Sequence, residues 1–152
     1  MRTRTFIAPA IGCLLLVTVS LTADDKDKKK DIDALQGTWK IESFKVAGQD
    51  GPEEFVKKAS FVIKDKKYTL TIDDEEMETG TFKLDPEKKV KTIDLEIASG
   101  NDQGKKQLGI YTLKDDSLTL CFAFPGNTDR PTKLESSDES KTILIVLKRE
   151  KK

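Results

Sequence analysis

The side chains that could do chemistry in this chain are few, and one type is missing altogether. The 152 residues include no histidine. Histidine is the commonest general base, the usual partner of a catalytic serine and the commonest transition-metal ligand. The composition therefore argues against the usual nucleophilic triads and most transition-metal sites. It predicts a protein that is not an enzyme and that carries no metal and no cofactor.

Cys121 is the one candidate nucleophile in the body of the chain. It lies in the apolar stretch SLTLCFAF with no basic residue beside it in sequence. A reactive cysteine needs a nearby positive charge or another activator, and a buried one is inert. We therefore interpret Cys121 as a packed thiol.

Two groups of acids are the remaining candidates. Residues 73–78, DDEEME, hold five acids in six positions, a composition that could bind calcium. They lack the alternating Asp/Asn and Gly of a dedicated calcium loop, so a solvated hairpin tip is the preferred interpretation. Asp94 and Glu96 share one face of a predicted strand whose other face is apolar. That face should turn toward water, which predicts no catalytic role for the pair.

The first residues have the pattern of a secretory signal. Arg2 and Arg4 precede an apolar run over residues 6–21, and the run ends near the small residue Ala23. The run is shorter than the roughly 20 apolar residues that span a bilayer as a helix. Residues 1–23 are therefore predicted to be a cleaved signal peptide, with the protein periplasmic or extracellular. A retained anchor and lipidation at Cys13 are the alternatives.

The rest of the chain suits one folded domain. Residues 24–33 are charged and are predicted to form a linker, and residues 34–150 are predicted to form the domain. Removal of residues 1–23 takes away two arginines and no acid, which leaves a slight excess of acids. Because both charge signs are interleaved, we expect no nucleic-acid face. We expect a monomer without a membrane span, and without an intrachain disulfide because only Cys121 remains.

Apolar residues alternate with polar ones through most of this domain, which predicts strands. Within the first strand, Trp39 and Ile41 fall on one face, whereas Phe44 and Val46 fall on the other, so a bulge is expected there. The last stretch is apolar on both faces and should be covered on both. The predicted strands are residues 38–46, 60–65, 68–72, 81–84, 92–97, 108–113, 117–124 and 142–149.

Most connections between these strands are short, which favours an antiparallel meander. Pro52 and the two acids after it predict one or two helical turns between the first two strands. The longest connection precedes the last strand, and its RPTKL stretch, residues 130–134, is expected to add a brief edge strand. Eight such strands close most economically into an all-β up-and-down barrel without free edges. A β-sandwich is the alternative.

The ordered set of phrases LQGTWKIES, GTFKLDPEKKVKTIDLEI, GIYTLKDDSLTLC, RPT and TILIVLKRE covers residues 35–149. It resembles the small lipocalin-like domains found in many copies in planctomycete bacteria. The resemblance implies an eight-stranded lipocalin-like barrel whose floor is formed by Gly37 and Trp39. It also implies that a basic side chain of the last strand, Arg149 or Lys148, lies across the Trp39 ring.

A barrel of this kind either holds a small apolar guest or is filled by its own side chains. The candidate lining residues of the upper barrel are Tyr68, Phe82, Tyr111, Phe122 and Phe124. Their bulk favours a filled or mostly filled interior. Arg130, in the long connection, is a candidate anchor at the mouth for an anionic head group. The sequence thus predicts an exported binding module for a small apolar or amphipathic molecule. The alternative is a filled-barrel structural or protein-interaction domain of the cell envelope.

Overall fold

The computed structural model of the protein describes residues 23–151. Most of the predicted signal segment, Cys13 included, lies outside the described residues, so the signal, anchor and lipidation hypotheses stay predictions. Within residues 23–151, no helix has both the length and the hydropathy needed to cross a membrane.

The described chain alternates strands with tight turns and adds two helices. Its elements are α1 Ala23–Leu35, β1 Gly37–Val46, β2 Gln49–Asp50, α2 Glu53–Lys58, β3 Ala59–Lys64, β4 Lys67–Ile72, β5 Glu75–Asp85, β6 Thr92–Ser99, β7 Lys106–Lys114, β8 Ser117–Ala123 and β9 Thr142–Arg149.

Neighbouring strands pair antiparallel along the chain, and β1 also pairs with β9. This last pairing closes a ring of eight strands, and the two-residue β2 is a hairpin extension of β1 outside that ring. The predicted all-β up-and-down barrel with a short helix after the first strand is confirmed. The sandwich alternative is wrong, because one continuous sheet closes on itself.

The predicted bulge in the first strand is also present. The register between β1 and β9 shifts between Ile41 and Ser43. The extra residue reverses the alternation, so that Trp39 and Ile41 face the interior before the bulge and Phe44, opposite Ile145, faces it afterwards. A bulge of this kind keeps both apolar pairs of one long strand in the same core.

The acidic stretch 73–78 is only partly a hairpin tip. Asp73 and Asp74 form the turn, with φ values of 51° and 64° that aspartate tolerates better than most residues. β5 begins directly afterwards at Glu75, so the remaining acids belong to a strand. The alternation of that strand decides which of them face the interior.

The segment predicted as a charged linker, residues 24–33, is instead part of α1. No Gly or Pro interrupts residues 23–35, so the helix extends backward from a last turn that the barrel holds. In that turn Leu35 is fully buried and Ile32 packs against the core. The Trp39 Nε1 donates a hydrogen bond to the Leu35 carbonyl at 2.9 Å. The sequence did not indicate a helix here because the packing partners of its last turn are distant in sequence.

The long connection between β8 and β9 covers the outer face of the barrel. Its RPTKL stretch forms no strand, contrary to the prediction, and Pro131 is buried. The Glu135 carbonyl accepts hydrogen bonds from the Cys121 Sγ at 3.4 Å and from the Thr142 Oγ1 at 2.8 Å. These bonds tie the connection to β8 and to the first residue of β9.

The two ends of the barrel differ, and we name them the floor and the mouth. The floor carries α1, the first residues of β1 and the last residues of β9. The mouth carries α2, the Asp73–Asp74 turn and the start of the long connection.

Candidate functional site

The floor is sealed by the side chain of Arg149. Its guanidinium lies over the Trp39 ring, with the Cζ atom 4.2 Å from the ring centroid. The Nη1 and Nη2 atoms donate to the carbonyls of Gln36 and Ala34, each at 2.6 Å. These carbonyls belong to the end of α1, where backbone acceptors lack helical partners and a cation is favourable. Lys148, the other candidate for this position, is exposed and lies 3.7 Å from Glu42.

We expect Arg149→Lys to lower the free energy of unfolding by about 1–3 kcal/mol. A lysine ammonium cannot bridge both carbonyls and also stack on the indole ring. Urea unfolding followed by circular dichroism measures the change. Lys148→Ala, which removes an exposed ion pair on the next residue, is the control and should cost less than about 1 kcal/mol. Equal losses in the two variants would contradict the sealing role of Arg149.

The floor half of the interior is filled by the protein's own side chains. Trp39, Leu118 and Leu147 are 0% exposed, and Phe82 and Tyr111 are 2% exposed. A side chain that lines a water-sized cavity keeps accessible surface, so these values leave no room for a guest. The sequence analysis expected Phe82 and Tyr111 in the upper barrel, but the structure places both in this filled half.

Tyr111 connects the barrel interior to α1. Its hydroxyl donates to the Asp31 Oδ2 at 2.6 Å, and the Lys91 Nζ binds the same oxygen at 2.7 Å. Burial raises the pKa of Tyr111, and the hydrogen bond with Asp31 raises it further. The hydroxyl therefore stays protonated. Because it donates its hydrogen bond to Asp31, it is unavailable to a ligand.

The mouth half is less completely buried than the floor half. There, inward-facing apolar side chains are only partly buried, although they pack against the same core. We name this set, together with the inward carboxyl group described next, the mouth cup. Its residues are Phe44, Phe55, Leu70, Ile72, Glu78, Ile143 and Ile145. Ile145 marks the boundary between the two halves. It is partly buried, whereas Leu120, which lies opposite it on the facing strand, is fully buried.

Glu78 places one carboxyl group in the mouth cup. It pairs with Leu70 across β4 and β5, so it faces the interior, and it is partly buried. The Tyr68 hydroxyl donates to the Glu78 Oε1 at 2.9 Å. Gly80 makes this contact possible, since a Cβ there would lie 2.7 Å from the Tyr68 Cε1 and 2.9 Å from its hydroxyl oxygen. The tyrosine ring crosses the space that the glycine leaves empty.

The electrostatics of Glu78 are those of a carboxylate without a countercharge. Burial raises the pKa of Glu78, the hydrogen bond from Tyr68 lowers it, and the nearby Asp102 raises it again, with a net upward shift. Burial and the neighbouring Glu78 raise the pKa of Tyr68, which keeps its hydroxyl a donor. Within residues 23–151, no lysine or arginine lies within ion-pairing distance of Glu78.

The structure separates the six side chains that the sequence analysis nominated for a ligand. Tyr68 and Phe122 lie next to the mouth cup, with Phe122 opposite Ile143 on the facing strand. Phe124 follows the end of β8 and is partly exposed. Arg130 is not at the mouth: its Nη1 binds Asp94 and the Gly109 carbonyl on the outer face.

Glu78 is not among the residues predicted from the sequence, because it belongs to the acid-rich stretch next to the hairpin turn. The alternation of β5 could have found it, since inward-facing Phe82 implies inward-facing positions at Gly80 and Glu78.

Asp94, Glu96 and Cys121, the other candidates from the sequence, have structural partners. Asp94 is the partner of Arg130, and Glu96 lies 3.3 Å from the Lys83 Nζ. Burial raises the pKa of the Cys121 thiol, so the protonated form is favoured. Across the described residues, no group of three potential metal ligands comes together.

A family model described as a lipocalin-like domain matches residues 35–120. The chain belongs to the lipocalin-like domain family. The matched part of this lipocalin-like domain runs from the barrel floor into β8 and includes Trp39 and Glu78. No curated protein and no solved structure matches the chain at a significant level. A lipocalin-like barrel is typical of modules that bind small molecules at one open end.

Proposed function

We propose that this lipocalin-like domain is an exported, non-enzymatic binding module that holds one small apolar or amphipathic molecule in the mouth cup. The supporting observation is the contrast between the two barrel halves. The floor half has fully buried side chains, whereas the apolar side chains of the mouth cup pack against the same core and are only partly buried. Apolar surface that faces a concave interior is favourable for binding, because a guest removes it from water.

The filled floor limits the size of the guest. Leu118 and Leu147 are fully buried and form the next inward-facing pair on the floor side of Ile145, so a guest cannot pass below the level of Ile145. A short alkyl chain or a single ring fits this depth, and the rest of the molecule would project from the mouth. Each buried methylene contributes about 0.8 kcal/mol, so a guest of this size would bind with moderate affinity.

Filling the cup is the direct test. We expect Ile145→Phe to weaken binding of the neutral fluorescent probe phenylnaphthylamine by roughly tenfold, because the larger ring occupies the space of the probe. Val146→Phe is the matched control, since Val146 is the next residue of β9 and faces outward opposite Thr119. Equal affinities in the two variants, or no binding to the unmodified protein, would refute the proposal.

The export part of the proposal is supported by the pattern of residues 1–23 and has its own readout. Native mass spectrometry of the protein isolated gently from the envelope fraction of its host should show a chain beginning at Asp24. A bound guest should appear as an extra mass that disappears on denaturation. A mass that includes residues 1–23 would instead indicate a retained anchor.

An outer cleft supports the second candidate function, that of a protein-interaction domain. Val90 and Leu134 are 42% and 37% exposed and lie together there, between lysines 89, 91 and 133. An apolar centre with basic neighbours suits an acidic protein segment that carries apolar side chains. The test is whether a partner protein still binds each variant. A partner that binds the Ile145→Phe variant, but does not bind the Val90→Lys and Leu134→Lys variants, would favour this function over small-molecule binding.

A further inference from the structure

We propose that the guest of the mouth cup is an amphiphile with a protonated amine, and that Glu78 is the residue that selects it. This inference rests on the proposed function and adds the chemical class of the ligand. The apolar residues of the mouth cup would hold the alkyl or aromatic part, and the Glu78 carboxylate would bind the ammonium group.

The first argument is the direction of Glu78. A charged side chain on a strand at a barrel mouth can turn toward water, as Glu76 of the same strand does. Glu78 instead faces the interior opposite Leu70, where the Tyr68 hydroxyl holds it at 2.9 Å. Gly80, next inward on the strand, leaves the space through which the Tyr68 ring reaches it. Three residues thus fix one carboxylate in a single orientation above an apolar surface.

The second argument is the missing countercharge. The Tyr68 hydroxyl has only one proton, and this proton forms the hydrogen bond to the Oε1 atom of Glu78. The neighbouring Asp102 is itself paired with Lys105 at 2.7 Å. Within the described chain, Glu78 therefore has one neutral donor and no cation. A partly desolvated carboxylate in this state gains most from a cationic hydrogen-bond donor, and charge-assisted hydrogen bonds are about twice as strong as neutral ones.

The third argument excludes other ligands for the same carboxylate. Divalent cations prefer several oxygen ligands, whereas no three potential metal ligands converge among residues 23–151. An anionic amphiphile such as a fatty acid would bring a second carboxylate toward Glu78 and Asp102, which is unfavourable. A primary ammonium group needs only one carboxylate and a few donors or acceptors at the rim. The apolar walls then favour an amine that carries a hydrocarbon group.

The experiment compares three probes that share one chain length: octylamine, octanol and octanoate. Binding is measured by calorimetry on the purified chain 24–152, with Glu78→Gln as the test variant. Glutamine keeps the shape and still accepts a hydrogen bond from Tyr68. Glu76→Gln is the matched control, because it removes the same charge from an exposed residue of the same strand.

We expect the unmodified protein to bind octylamine roughly tenfold more tightly than octanol, and octanoate least well. Glu78→Gln should abolish the preference for the amine and leave octanol binding unchanged, whereas Glu76→Gln should keep the preference. Equal affinities for octylamine and octanol, or a preference that survives Glu78→Gln, would overturn this inference and leave the proposed function standing. Failure of all three probes to bind would overturn both.

A thermal unfolding scan of the same variants separates selection from a structural role. Burial disfavours the Glu78 carboxylate, so Glu78→Gln should unfold at the same or a higher temperature than the unmodified protein. If Glu78→Gln is more stable and also loses the preference for the amine, then Glu78 serves ligand binding rather than stability. A variant that unfolds at a clearly lower temperature would make Glu78 a structural residue and overturn the inference.

Discussion

Replacing Trp39 by alanine is expected to lower the free energy of unfolding by about 3–5 kcal/mol, the largest effect of any single change considered for this barrel. The ring is 0% exposed and lies on the core side of the Arg149 guanidinium. Its loss leaves a cavity at the floor that the rigid strand ends cannot fill. It also removes the hydrogen bond to the Leu35 carbonyl, which fixes the end of α1.

Urea unfolding followed by far-ultraviolet circular dichroism measures this loss, because Trp39 is the only tryptophan and its fluorescence disappears with it. Val90→Ala, a truncation of an exposed apolar residue, is the control and should change stability by less than about 0.5 kcal/mol. A loss below about 1.5 kcal/mol for Trp39→Ala would mean that the floor can collapse onto the gap, contrary to the sealed floor described above.

Gly80→Ala is expected to destabilise the barrel by about 3 kcal/mol, although it adds a single methyl group. The new Cβ would lie 2.3 Å from the Glu96 carbonyl oxygen and within 3 Å of two atoms of Tyr68. The backbone neighbour cannot move without breaking the pairing of β5 with β6. The Tyr68 ring would be displaced, and its hydrogen bond to Glu78 would be lost with it.

The same urea unfolding measures this effect, and Gly104→Asn is the control. A Cβ at Gly104 meets nothing within 4 Å, and asparagine tolerates its φ of 85°. Only a small change is therefore expected there. If Gly80→Ala were as stable as Gly104→Asn, the close approach of Tyr68 to the β5 backbone would be refuted. The same result would refute the role of Tyr68 in positioning the Glu78 carboxylate.

The regular part of the fold could be predicted from the sequence because its cause is local. Alternation of apolar residues specifies a strand from its own residues, and short turns specify its neighbour. Even the bulge in β1 was visible, since Trp39 and Phe44 fall on opposite faces of an unbroken strand. The floor position of Gly37 and Trp39 was implied by the resemblance of LQGTWKIES to lipocalin-like domains rather than by local patterning.

The features that were not predicted correctly involve partners that are far away in the chain. α1 was missed because the residues that bind its last turn, Trp39 and Arg149, act through the folded floor. Arg130 was expected at the mouth, yet its partner Asp94 is 36 positions away on the outer face. Glu78 was missed for the opposite reason: its neighbours in sequence are exposed acids, and only the pairing of β5 reveals its inward direction.

The pairing of β1 with β9 has a consequence for how the protein folds. Trp39 lies opposite Arg149, so the closing contact joins segments at the two ends of the domain. Contacts between such distant residues slow folding, because the chain must lose much of its conformational freedom before they form. Until β9 arrives, β1 and β8 are open edges, and β9 itself is an apolar segment without a partner. Self-association in that interval is the main competitor of barrel closure.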